Sequence, residues 1–178
     1  MSVRFALRDG THDKHQALDA RFAALDLSNR ADYVHFLKAQ AAALLPLEAT
    51  LDHAGAAQLL DDWPGHRRGA ALVADLDALG ERIPTPVRVP SFLGPPDILG
   101  ALYVLEGSRL GGKMLVKQVP DALPTAFLSH RPPLAWRDFV ALLEQNLASP
   151  VDRAVALRAA EAAFDVFSDA ASRIAGNE

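Results

Sequence analysis

The most unusual segment of the sequence is Ile98-Leu-Gly-Ala-Leu-Tyr-Val-Leu-Glu-Gly-Ser-Arg-Leu-Gly-Gly-Lys-Met-Leu115. Its apolar content is typical of a buried helix, yet it contains Gly100, Gly107, Gly111 and Gly112. Each glycine in a helix interior lowers stability by about 0.8–1 kcal/mol relative to alanine, so the last three together cost roughly 2–3 kcal/mol. A buried helix with this cost indicates a local constraint that glycine satisfies.

Three explanations of these glycines are open at the level of sequence. Gly107 and Gly111 are four residues apart and share one helical face, with Ser108 beside them and Gly100 two turns earlier on the same side. Small residues allow another helix to approach closely. Adjacent glycines also allow a kink, and bare backbone allows a flat ligand to lie where any side chain would collide.

A second anomaly lies near the N-terminus, where a histidine shares the apolar face of a predicted helix. The face is formed by residues at helical spacing, namely Leu7, Thr11, His15, Leu18, Phe22 and Leu25. His12, by contrast, falls on a polar face. His15 is therefore either a core histidine bonded to a backbone carbonyl or a ligand of a metal or haem iron, since neutral imidazole is a good donor.

The two anomalies together predict a sandwich. One helix offers an imidazole from an apolar face, and the other offers a bendable surface without side chains. A flat, largely apolar metal macrocycle would fit between them, with the imidazole on the iron and the glycine backbone over the opposite face.

Composition limits the classes of protein that the chain can be. Its 178 residues are 50% apolar with a net charge of −4, which favours one domain over residues 1–178 and argues against a nucleic-acid binder and against disorder. The absence of cysteine excludes disulfides, thiolate nucleophiles and iron–sulfur clusters. The chain lacks an apolar N-terminal run and any apolar run near 20 residues, so we expect a cytoplasmic protein without membrane contact.

Abundant alanine and leucine predict an all-α, single-domain bundle of about six helices, the fourth of them kinked. Ser28 or Asn29 should cap the second helix, Pro46 should bend or interrupt it, and Gly80 should end the third. The loop over Ile83–Pro96 contains five prolines. The predicted helices are Val3–Phe22, Ala31–Leu51, Arg67–Leu79, Asp97–Lys117, Leu134–Leu147 and Asp152–Ile174.

Two stretches resemble a known family. Leu7-Arg-Asp-Gly-Thr-His-Asp-Lys-His15 resembles the proximal helix of haem oxygenases, and Leu102-Tyr-Val-Leu-Glu-Gly-Ser-Arg-Leu-Gly-Gly112 resembles their distal helix. The match is closest to the bacterial branch, which includes enzymes associated with bacteriophytochromes. The likeness covers most of the chain in helix order, and it implies a haem-oxygenase-like bundle with a kinked distal helix.

Carried over by position, the resemblance makes His15 the axial ligand of the haem iron. Gly107 and Gly111 would contact the haem face and, with Ser108, form the catalytic side, while Gly112 would lie beside them. In the animal branch an aspartate stands where this chain has Ser108 and organises a distal water. A serine hydroxyl can also hold one water.

The residues that would bind the haem propionates transfer less directly. Arg8, two turns before His15, is the best candidate, and Lys14 and Lys113 are weaker ones. The corresponding basic positions on the fifth helix are Val140 and Glu144 here. A further pair, Phe164 and Phe167, is expected either to line the pocket or to belong to the core.

The implied reaction is the cleavage of haem to biliverdin, carbon monoxide and ferrous iron. Haem would be both substrate and cofactor. The reaction would use molecular oxygen and electrons from a ferredoxin or an NADPH-dependent reductase. A bacteriophytochrome is a candidate acceptor of the biliverdin. The alternatives are a haem- or bilin-binding protein without turnover and a helical protein that binds only a partner. A thiamin-degrading enzyme needs a cysteine and a di-iron bundle needs paired Glu-x-x-His elements, and the sequence has neither.

Overall fold

The computed structural model describes residues 2–176, and within that range the chain is all helix, turn and loop in one domain. The all-α, single-domain prediction is confirmed. Residues 1, 177 and 178 of the predicted domain lie outside the described range. Two 3-10 turns, Ala56–Gln58 and Val116–Gln118, accompany the helices. These are Val3–Gly10 (α1), His12–Ala23 (α2), Arg30–Ala54 (α3), Trp63–His66 (α4), Gly69–Ala78 (α5), Pro95–Leu115 (α6), Ala126–Ser129 (α7), Trp136–Asn146 (α8) and Pro150–Ala175 (α9).

The predicted helix over Val3–Phe22 is wrong as a single element, because it breaks at Thr11. The backbone there has φ −98° and ψ 2°, outside the helical region. The buried Thr11 hydroxyl donates to the Leu7 carbonyl at 2.7 Å, which already accepts the Thr11 N–H. The break therefore separates α1, which carries Arg8, from α2, which carries His15.

The predicted helix over Arg67–Leu79 corresponds to one helix, α5, which begins two residues later, at Gly69, and ends at Ala78. The short helix α4 lies wholly before it and was not predicted. The buried Glu48 carboxylate of α3 accepts the backbone N–H groups of Arg68 at 2.6 Å and Gly69 at 3.0 Å. It thus caps α5 from another helix, which local sequence does not reveal. The predicted stop at Gly80 is confirmed, since its φ is +71° and the following N–H returns to Leu76.

Helix α3 passes through Pro46 without interruption, so of the predicted bend or interruption only the bend stays a prediction. Proline lacks the N–H that would bond the Ala42 carbonyl. The N–H of Val87, in the proline-rich loop, donates to that carbonyl instead at 2.9 Å. Asn29, one of the two predicted caps, caps the start of this helix, because its side chain accepts the backbone N–H groups of Ala31 and Asp32.

Helix α6 also runs unbroken, from Pro95 to Leu115, through all four of its glycines. It starts two residues earlier than predicted because Pro95 and Pro96 fit the first helical positions. A bend within this continuous helix stays a prediction.

The long helix α9 packs against α1, α2, α3 and α6 and forms the centre of the core. Its buried face is rich in alanine, and α6 approaches it closely at Gly100. A Cβ atom on Gly100 would lie 2.0 Å from the backbone oxygen of Ala156. Close helix packing therefore explains Gly100. Among the described residues, no helix combines the length and apolar character needed to cross a bilayer.

We predict that Gly100→Ala lowers the free energy of unfolding by about 1–3 kcal/mol, because the added methyl group overpacks against backbone. Urea denaturation followed by circular dichroism measures this change. Gly111→Ala in the same helix is the matched control, since its Cβ would meet no atom within 4 Å, and it should be neutral or stabilising. Equal stability of Gly100→Ala and the wild-type chain would contradict the packing explanation.

Candidate functional site

A cavity of about 680 Å³ lies between α2 and α6, with walls from α1, α8 and α9. Helix α6 contributes Gly107, Ser108, Gly111 and Gly112 to its lining. The other predicted site residues that line it are Arg8, His15, Phe164 and Phe167. The fold thus brings the two sequence anomalies into the lining of one cavity.

The cavity-facing backbone of Gly107 and Gly111, called the glycine face below, is free of neighbouring protein atoms. A Cβ on Gly111 would meet nothing within 4 Å, and one on Gly107 would meet only the Trp136 ring at 3.6 Å. Helix packing therefore explains Gly100 but does not explain these two. Gly112 resembles Gly107, because its Cβ would be in ordinary contact with the Leu128 side chain at 3.7 Å.

His15 projects from α2 at the cavity wall, and its side chain is 59% exposed. Its Nε2 lies 3.3 Å from Asp19 Oδ2, one turn further along, and its ring centre is 5.5 Å from that of Phe164. The alternative of a buried core histidine is therefore wrong. His12 is exposed and does not line the cavity.

Two arginines of α1 line the cavity, although only one was predicted. The Arg8 guanidinium lies 4.8 Å from the Phe5 ring centre and donates to Asp9 Oδ1 at 2.9 Å. Arg4 lies further from the same ring, at 5.8 Å, and was missed because nothing in the local pattern distinguishes it.

The weaker propionate candidates lie outside this lining. Lys14 pairs with Asp165 of α9 at 2.5 Å, and Lys113 is exposed on α6. Glu144 accepts the backbone N–H of Arg4 at 3.4 Å. These three positions therefore hold the helices or face solvent, whereas Arg4 and Arg8 are the exposed cations that border the cavity.

Arg68 is the second residue that the sequence analysis missed. It is 5% exposed, lines the cavity, and places its guanidinium 4.9 Å from the Phe127 ring centre. Its Nη2 donates to Ser108 Oγ at 2.7 Å and to the Leu105 carbonyl at 3.2 Å. Burial, followed by the nearby charge of Arg109, lowers the pKa of Arg68 to about 9.

The hydroxyl of Ser108 is already committed by these contacts. It donates its proton to the Leu105 carbonyl at 2.7 Å and accepts from Arg68, which leaves one lone pair facing the cavity side. A water there would donate to Ser108. Arg68, which lies beside Ser108, is the group that could donate a hydrogen bond to such a water.

Among the described residues, no carboxylate contacts the Arg68 guanidinium. Glu48 bonds the backbone of Arg68 and Gly69, and Glu106 pairs with Arg109. The wall beside Ser108 therefore carries a buried positive charge that is compensated only at longer range, an arrangement suited to an anionic or electron-rich ligand.

Comparison with known proteins gives two curated relatives, while no protein-family model matches the sequence. The haem oxygenase of Xanthomonas campestris pv. campestris is 40% identical over 112 residues, which cover 59% of this chain and 67% of that protein. Heme oxygenase PigA of Pseudomonas aeruginosa is 27% identical over 175 residues, which cover 92% of this chain and 88% of that protein.

Solved structures of two bacterial haem oxygenases share the fold. The enzyme from Neisseria meningitidis superposes with a TM-score of 0.83 at 22% identity, over 99% of this chain and 93% of that one. The enzyme from Leptospira interrogans gives a TM-score of 0.76 at 19% identity, over 97% of this chain and 100% of that one.

We predict that Arg68→Met leaves the free energy of unfolding unchanged or raises it by about 1 kcal/mol or more, because an apolar side chain of similar length removes a desolvated charge. Chemical denaturation measures this. Arg109→Met is the contrasting control and should cost about 3–5 kcal/mol, since it strands the buried Glu106 carboxylate. A loss for Arg68→Met as large as for Arg109→Met would show that Arg68 is needed for folding instead.

Proposed function

The chain belongs to the haem oxygenase family and degrades haem, and we propose that it holds the macrocycle in the cavity between His15 and the glycine face. The observation that carries this proposal is that an exposed imidazole and bare helical backbone line one cavity. A flat molecule fills such a space, whereas a side chain at Gly107 or Gly111 would occupy it.

The donors in the cavity fit haem. His15 would hold the haem iron through an imidazole nitrogen, and Asp19 can accept a ring N–H and so fix the orientation of the imidazole. Phe164 and Phe167 offer apolar contact. Arg8 is proposed to bind a propionate, with Arg4 as a second cation, because guanidinium groups pair well with carboxylates.

On the distal side, Ser108, Gly107 and Gly111 are proposed to form the catalytic wall, with Gly112 beside them. Ser108 and Arg68 would together hold one water, with Arg68 as hydrogen-bond donor and Ser108 as acceptor. This pair would take the place of the aspartate found in the animal branch. No carboxylate or imidazole lies among the α6 residues that line the cavity.

Bound haem would supply both the iron at which molecular oxygen is activated and the ring that is opened. The proposed products are biliverdin, carbon monoxide and ferrous iron. Electrons are proposed to come from a ferredoxin or an NADPH-dependent reductase, and a bacteriophytochrome is the proposed acceptor of biliverdin. Resemblance to the bacterial branch supports these last assignments.

We predict that His15→Ala loses, or clearly shifts, the Soret band of the histidine-ligated haem complex. The reason is that His15 is the one histidine among the described residues that line the cavity, so its loss removes the imidazole available to the iron. A haem titration followed by absorbance tests this, and His12→Ala, an exposed histidine outside the lining, is the matched control. An unchanged spectrum in His15→Ala would remove His15 from the ligand role.

We predict that Gly111→Leu slows the formation of biliverdin by about tenfold or more without lowering thermal stability, because the side chain enters space that haem needs. Absorbance of biliverdin after addition of haem, oxygen and a reductant measures turnover. Lys113→Leu, which adds the same side chain to α6 outside the cavity lining, should retain wild-type turnover. Haem binding by the wild-type chain without any biliverdin would instead support the alternative of a haem- or bilin-binding protein.

A further inference from the structure

A group of four polar side chains lies behind the glycine face, and we call it the rear cluster: the buried Glu106, Arg109 and His66 and the half-buried His130. Arg109 stands between Gly107 and Gly111 in sequence but does not line the cavity. Its guanidinium holds Glu106 through two contacts, Nε to Oε2 at 3.1 Å and Nη2 to Oε1 at 3.2 Å. The two side chains are only 6% and 4% exposed.

Arg109 joins α6 to two other parts of the chain. Its Nη2 donates to the backbone carbonyl of His66 in α4. Its Nη1 lies 2.9 Å from His130 Nδ1, just after α7. The carboxylate of Glu106 also lies 3.2 Å from His66 Nδ1. One arginine thus connects the glycine-bearing segment to α4 and to the loop that follows α7.

The glycine face cannot be positioned from the cavity side, because it has no side chains there. Its location must therefore be set from the other sides of α6. Arg68 bonds the Leu105 carbonyl and Ser108, Arg109 links the segment to α4 and to the loop after α7, and α9 packs along the helix. Because Glu106 and Arg109 belong to the same two turns of α6 as the glycine face, a loss of their contacts with His66 and His130 would act on that face directly.

We propose that Arg109 is a positioning residue for the glycine face, and that its bond to His130 makes this positioning sensitive to pH. An arginine can only donate, so His130 Nδ1 must accept, which requires a neutral imidazole. Protonated His130 would turn an N–H toward the guanidinium, and the contact would be lost. The consequence for haem cleavage rests on the proposed function, whereas the contact itself does not.

The charges around His130 set the direction of this effect. The pKa of His130 is lowered, first by burial and then by the charges of Arg109 and Arg68, with a smaller effect of His66 in the same direction. Glu106 acts to raise it. Burial alone would raise the pKa of Glu106, but His66 and Arg109 outweigh it and hold the pKa below its usual value. The contact is therefore complete above the ordinary histidine pKa of about 6.5 and is lost as the pH falls through the lowered value.

Hydrogen–deuterium exchange of the full chain without haem tests the proposal separately from the proposed function. With rates corrected for the intrinsic effect of pH, we expect protection of the amides at 105–112 to fall about tenfold or more as the pH is lowered from about 7.5 to about 4, a range that extends well below the ordinary histidine pKa because the pKa of His130 is lowered. His130→Gln should abolish the fall, because a glutamine oxygen accepts from Arg109 but does not titrate. His53→Gln, at an exposed histidine of α3, should retain it.

Arg109→Lys is the second variant, since lysine keeps the charge but lacks the planar fork. It should show low protection of the same amides at both pH values. Wild-type protection in Arg109→Lys would overturn the positioning role. Constant protection in the wild-type chain would overturn the pH dependence. A fall that persists in His130→Gln would also overturn it, and would assign the fall to Glu48 or Asp75, whose pKa values burial raises.

Discussion

The bare backbone of Gly107, Gly111 and Gly112 in α6 lies beside the cavity and has no side chain of its own to hold it there. Packing and charged contacts on the other sides of α6 therefore set its position. At Gly100 the helix presses against the Ala156 backbone of α9, and near Arg109 it is joined to α4 and to the loop after α7. The proposed haem site depends on this arrangement, because these contacts hold the helix in place and leave its cavity side open.

The site keeps several features that folding alone would not select. Glycines at 107 and 111 weaken a helix, and they are not required by packing. Arg68 is buried with no carboxylate against its guanidinium among the described residues, and His15 is exposed on a face otherwise apolar. Functional sites are where local rules of sequence are commonly broken. Here three such departures meet in one cavity.

Local sequence predicted much of this and failed where distant residues intervene. The glycines, the spacing that puts His15 on its helical face, the Asn29 cap and the Gly80 stop are all local signals. Arg68 could not be found this way, since its bond to Ser108 spans 40 positions of the chain. The cap of α5 by Glu48 and the contact of Val87 with α3 are equally remote in sequence. Lys14 adjoins His15 in sequence, yet helix geometry directs it to Asp165.

A crystal structure of the chain with haem bound would test whether haem lies between His15 and the glycine face. We expect an imidazole nitrogen of His15 bonded to the iron, and the opposite face of the macrocycle lying against Gly107 and Gly111. Haem bound at another surface, or iron held by a different residue with the space beside the glycine face left open, would contradict it.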